Sequence, residues 1–148
     1  MTIAQSSTTS FKVELLQAVH NFGPTSPNTF KIALYTALST IGPGTAVYTT
    51  DAEVVGTGYT AGGNTLVIST SPTSGANNLN VATAYIGFAN TSWPSASFTA
   101  RGALIYNATQ GNKTVAVLDF GADKTAAGTT FEIVFPTANA TSAIVRIS

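Results

Sequence analysis

From residue 29 onward the apolar residues recur at every second position, in short runs cut by clusters of Gly, Pro, Asn and Ser. That period belongs to a strand that buries one face, and it leaves little of the chain free for helices. In 29–36 (TFKIALYT), Phe30, Ile32 and Leu34 alternate with Lys31, Ala33 and Tyr35, which predicts a strand with one face on a core. The same test selects 64–70, 81–89, 98–107, 113–120, 129–135 and 142–147, and a weaker strand at 46–50 or 53–55 brings the count to about eight. The breaks 71–75 (SPTSG), 107–112 (NATQGN) and 121–125 (GADKT) read as turns. Short strands with turn signals at this spacing predict an all-β antiparallel sandwich, jelly-roll-like in strand number. No internal repeat of fixed period aligns, so a propeller or solenoid is not expected.

Two further pieces precede this body. Residues 1–10 (MTIAQSSTTS) are small and polar and read as an extended arm with no core of their own to join. Phe11, Leu15, Val19 (or Ala18) and Phe22 then recur at helical spacing, with Thr9 or Ser10 able to cap the start and Gly23-Pro24 to stop the run. The prediction is an amphipathic helix over 11–22, with Lys12, Glu14, Gln17 and Asn21 off the stripe. Its apolar face packs either on the open end of the sandwich or on a neighbour. The remainder, 28–148, is then a single β-sandwich domain, and a chain of 148 residues is long enough to bury a core unaided.

Composition narrows the partners. Only 8% of residues are charged, against roughly 25% in an average soluble domain, while 13 Ser and 25 Thr supply an uncharged polar surface. A formal net charge of zero leaves no basic footprint for nucleic acid or for an anionic membrane, so neither is an expected partner. It also removes the self-repulsion that keeps monomers apart, which favours a homo-oligomer. The absence of Cys excludes disulfides, Cys-based zinc sites and thiol catalysis. The chain has no signal-like start and no run of the roughly 18 apolar residues that a membrane span requires, so synthesis in the cytoplasm is the expectation.

Residues that carry chemistry are few. His20, the only histidine, falls late in the predicted helix, where it would cap or pack; a general base there has no obvious sequence partner. Asp51 with Glu53, and Asp119 with Asp123, could each contribute to a Ca²⁺ loop, but neither resembles the dense acidic loop that such sites use, and both read as turns. The Gly-rich stretch 56–63 (GTGYTAGG) lacks the Lys-Ser/Thr that follows a phosphate loop, so its glycines read as positions of positive φ or close backbone approach. Four Asn-x-Ser/Thr triplets are expected by chance in so Thr-rich a chain. Tyr59 and Trp93 lie in loop contexts and are candidate interface anchors, or else fold back over the sandwich end. No catalytic residue, metal or cofactor is expected.

Five stretches together, 11–22 (FKVELLQAVHNF), 29–36, 53–63 (EVVGTGYTAGG), 100–107 (ARGALIYN) and 116–125 (AVLDFGADKT), resemble small virion structural proteins of tailed bacteriophages. The likeness is to the type that decorates or cements the capsid. It implies a non-enzymatic role on the virion surface, the major capsid protein as partner, and a homo-oligomer, commonly a trimer. On that reading the arm and the helix face Phe11, Leu15, Val19 and Phe22 engage the capsid protein or a sister subunit. The alternative is a tail, baseplate or receptor-binding component that works through Tyr59 and Trp93.

Overall fold

A computed structural model describes residues 2–148 of the chain. In order, its elements are β1 (Ser6–Ser7), α1 (Thr9–Leu16), β2 (Phe30–Tyr35), β3 (Asn64–Thr65), β4 (Ile68–Ala76), β5 (Ala82–Phe88), β6 (Thr91–Asn107), β7 (Lys113–Ile133) and β8 (Val145–Ile147). They form two antiparallel sheets, a five-stranded one in the order β1-β7-β6-β2-β3 and a three-stranded one in the order β4-β5-β8. The sheets pack as a sandwich, with the predicted alternation in β2 placing Phe30, Ile32 and Leu34 in the main core against Ile86, Phe88 and Val145 of the smaller sheet.

The other face of β2 is buried as well, contrary to a strand with one wet face. Ala33 and Tyr35 join Leu104, Tyr106 and Val117 in a second cluster, covered by Ile3 and Ile41 and flanked by Tyr48. The covering comes from the arm, which is not a free extension. Ser6 and Ser7 pair with Val117 and Ala116 at the edge of β7, and the Ile3 side chain is only 4% exposed. Glycine makes the seat: a Cβ on Gly102 would stand 2.8 Å from Ile3 Cδ1 and 2.5 Å from the Leu118 carbonyl oxygen.

The helix is shorter than 11–22 and starts earlier. Thr8, extended at φ −69° and ψ 152°, is the N-cap, and its hydroxyl accepts from Phe11 N at 3.3 Å. At the other end Ala18 adopts φ 57°, Ala18 N donates to Leu15 O at 3.1 Å and Val19 N to Glu14 O at 3.0 Å. This is a Schellman stop with alanine in the place usually held by glycine, so the chain leaves the helix one turn before Phe22.

Strand boundaries moved for a related reason. The segments 113–120 and 129–135 are largely one strand, because the bend at 121–125 is a bulge in the β6–β7 ladder and not a turn. Gly121 and Gly128 carry the positive φ, 75° and 67°. Pro72, in the stretch 71–75 expected to turn, sits in β4, an edge strand, where a residue without an N–H is tolerated. The weaker strand expected near 46–55 reduces to single bridges, Val47 to Lys113 and Tyr35 to Glu53.

Candidate functional site

Two buried polar clusters and two apolar clefts are the features to which function could attach. The first cluster is organised by Asn107, the last residue of β6. Its Oδ1 accepts from Thr109 N at 3.1 Å and Gln110 N at 3.3 Å, which fixes the amide so that Nδ2 points to Asn28 Oδ1 at 2.8 Å and His20 Nδ1 at 3.0 Å. Nδ1 therefore accepts, and the imidazole proton lies on Nε2, donated to Glu14 Oε2 at 2.7 Å. Glu14 Oε1 takes Lys113 Nζ at 2.8 Å.

Burial pushes the Glu14 carboxyl up, but the hydrogen bonds from Lys113 and His20 and the Lys113 charge outweigh it, and the group is held below the ordinary carboxylate value. Both oxygens of Glu14 and both nitrogens of His20 are thus engaged inside the chain. Phe11 packs edge-on against the imidazole at 5.0 Å, and the His20 side chain has no exposed surface. The cluster fastens α1 to the start of β7 and the end of β6. His20 lies beyond the helix, not within it, and Glu14, predicted to be off the buried stripe, is only 7% exposed.

The second cluster surrounds Glu53, whose buried carboxylate makes no salt bridge among the described residues. Tyr48 OH and Tyr59 OH donate to it at 2.6 Å each, and Gly62 N at 2.7 Å. Tyr59 OH also accepts from Leu34 N at 2.9 Å, and Tyr106 OH donates to Gly62 O at 2.7 Å. Charge-assisted bonds of this kind are the strong class, and here they pin the loop 53–63 onto β2. Burial first, then the Glu53 carboxylate, pushes the tyrosines up: Tyr106 to about 12, and Tyr48 and Tyr59 further. The Gly-rich stretch serves as close-approach backbone, since a Cβ on Gly63 would meet the Ile32 carbonyl oxygen.

The acidic pairs do not converge. Glu53 is consumed as described, and Asp119 Oδ1 accepts from Arg101 Nε at 3.2 Å and Gly121 N at 2.9 Å. Among the described residues no three His, Asp or Glu side chains gather as a metal site would require.

The candidate interface residues divide. Phe11, Phe22 and Trp93 are buried in the chain's own core, at 2%, 7% and 3% exposure, so a partner would find almost nothing of them to cover. Trp93 is a core residue because β6 begins at Thr91 and pairs it with Phe131; its Nε1 has no hydrogen-bond partner among the described residues. Tyr59 is partly buried with its hydroxyl on Glu53, and Leu15 and Val19 are half-buried.

The most exposed apolar residues are others: Val55 at 94%, Leu16 at 92%, Leu79 at 83% and Leu38 at 70%. Leu16 was legible as an apolar residue off the predicted stripe. A cleft of about 350 Å³ lies between α1 and the smaller sheet, lined by Leu15, Phe22, Ile86 and Val145 with Arg146. A second, of about 380 Å³, lies beside the far end of β7, lined by Phe120, Phe131 and Ile133 with Lys124 and Glu132.

No family model, no curated protein and no solved structure matches the chain.

Proposed function

We propose that the chain is a non-enzymatic virion structural protein of a tailed bacteriophage, a decoration protein that binds the major capsid protein lattice and stabilises the head. The observation that supports this best is the contrast between interior and exterior. Inside, both oxygens of each buried carboxylate, Glu14 and Glu53, accept from donors of the same chain. Outside, large apolar side chains stand almost fully exposed on a body with only 8% charged residues. Such a surface gains from being covered, and nearly uncharged neighbours meet it without repulsion. A cement protein on this reading works by avidity, one homo-oligomer, a trimer in the simplest case, touching several capsid subunits. It is made in the host cytoplasm and ends on the capsid surface.

The tail or receptor-tip alternative draws on Tyr59 and Trp93 as outward anchors, and both side chains turn inward. The decoration role is tested by adding purified protein to phage heads that lack it and sedimenting the mixture. Saturable co-sedimentation with heads, and not with tails, is expected; no binding to heads overturns the proposal.

A further inference from the structure

The N-terminal segment, residues 2–22, is attached to the rest of the chain as a plug is to a socket. Ile3 fills the seat over Gly102, β1 pairs with β7, Glu14 meets Lys113, His20 meets Asn107, and Phe22 stacks on Phe30 at 4.2 Å between ring centroids. Every one of these contacts joins the segment to the body, and none requires that both belong to one chain. Only the connection at 23–28 does.

That connection is an exposed loop, Gly-Pro-Thr-Ser-Pro-Asn, folded back on itself in a strained form. Ser26 holds φ 48°, a left-handed value that a side chain resists, immediately before Pro27, whose ring further narrows the choices of the residue ahead of it. The fold-back is held chiefly by Asn21: its Nδ2 donates to Ser26 O at 3.0 Å, its backbone N–H to Asn28 Oδ1 at 2.9 Å, and its carbonyl accepts from Asn28 N at 2.9 Å. Opened out, with both prolines in the extended conformation they favour, six residues span roughly 20 Å, enough to carry the segment to an adjacent body. The strain at Ser26 is then released and the plug contacts are regained unchanged. A net charge of zero sets no barrier to the approach of a second copy.

We propose that residues 2–22 are exchanged between copies of this chain, each copy's Ile3, α1 and Phe22 seating in the body of the next, so that the homo-oligomer is closed by swapped N-terminal segments. The exchange stands apart from the role on the capsid and holds or fails without it.

The 148 residues contain no cysteine, so a crosslink can be read without background. Ser7 and Ala116 face one another across the β1–β7 pair. In the double variant Ser7→Cys, Ala116→Cys, oxidation is expected to give covalent oligomers on non-reducing gels, because the two thiols that meet belong to different copies. A crosslinked monomer as the only product overturns the proposal. The loop is tested separately by light scattering on otherwise unaltered protein. Ser26→Gly, which accepts the folded-back φ, is expected to weaken the oligomer roughly tenfold, whereas deleting Thr25 and Ser26 is expected to abolish the monomer. An oligomer insensitive to both changes rules out exchange through this loop, and a purely monomeric wild type at all concentrations does the same.

Discussion

Replacing Glu53 by alanine tests whether the carboxylate is the clamp of the loop 53–63. The change strands three donors, the buried Gly62 N and the partly buried Tyr48 OH and Tyr59 OH, that now end on one carboxylate at 2.6 to 2.7 Å. A hydrogen bond to a charged acceptor is worth about 1.5–3 kcal/mol on removal, but three on one group do not add, and water entering the vacated space recovers part. No charge is left behind, so the cost is that of neutral donors left unpaired, about 1–3 kcal/mol each and less than additive, and about 4 kcal/mol in all is the expectation here. For a chain of this size each kcal/mol lowers Tm by about 2–4 °C, so the fall is roughly 8–16 °C. Glu53→Gln keeps one acceptor oxygen and the side-chain volume and should lose about half as much. Urea denaturation followed by the fluorescence of Trp93, whose ring lies 6.1 Å from Tyr59, reads both variants. If Glu53→Ala unfolds within about 0.5 kcal/mol of the wild type, the clamp reasoning is wrong.

Three other outcomes follow from the same geometry. Ala18→Gly should stabilise by about 1 kcal/mol, because the helix stop holds residue 18 at φ 57°, a value glycine adopts freely; a lower urea midpoint would contradict the Schellman assignment. Ile3→Ala should cost about 2 kcal/mol in the same assay, at the low end for such truncations because the site lies near the edge of the fold, whereas a truly free arm would give no change. Stability should fall at both ends of the pH scale. Glu14 is depressed in the folded state, so its contribution is present above the ordinary glutamate value of 4.5 and lost as pH drops through the lower folded value. Tyr106 is raised from 10.0 to about 12, so its contribution is present below pH 10 and lost between there and 12; those of Tyr48 and Tyr59, raised further, begin to fall at the same pH and go on falling beyond it. Thermal melts from pH 3 to 11 check both limbs; a flat profile above pH 10 would contradict the tyrosine cluster.

The sandwich was legible because period-two burial is a local property, and β2 and β5 lie close to their predicted spans. What was not legible depended on residues far apart in sequence meeting in space. Ile3 looked like a lone apolar residue in a polar arm, since nothing in the sequence ties it to Gly102. Glu14 fell on the polar side of a helical wheel, yet it is buried because Lys113 and His20 come to meet it. The early end of α1 was hidden for a different reason: alanine at position 18 carries no stop signal, and the tertiary pull on His20 and Phe22 imposes the left-handed turn. Gly121 and Gly128 look the same in sequence whether they make a turn or a bulge, so a long bent hairpin read as separate strands. Trp93 read as a loop aromatic with an outward and an inward placement both open; it lies in β6 and faces the core, because that strand starts at Thr91, ahead of the run 98–107 that signalled it.

The central claim, a lattice-wide structural role on the virion, is tested most directly by quantitative mass spectrometry of purified particles, counting copies of this chain per copy of the major capsid protein. The account predicts a ratio close to parity. A ratio far below it would place the chain in the tail or at a vertex, and its absence from particles would contradict the claim altogether.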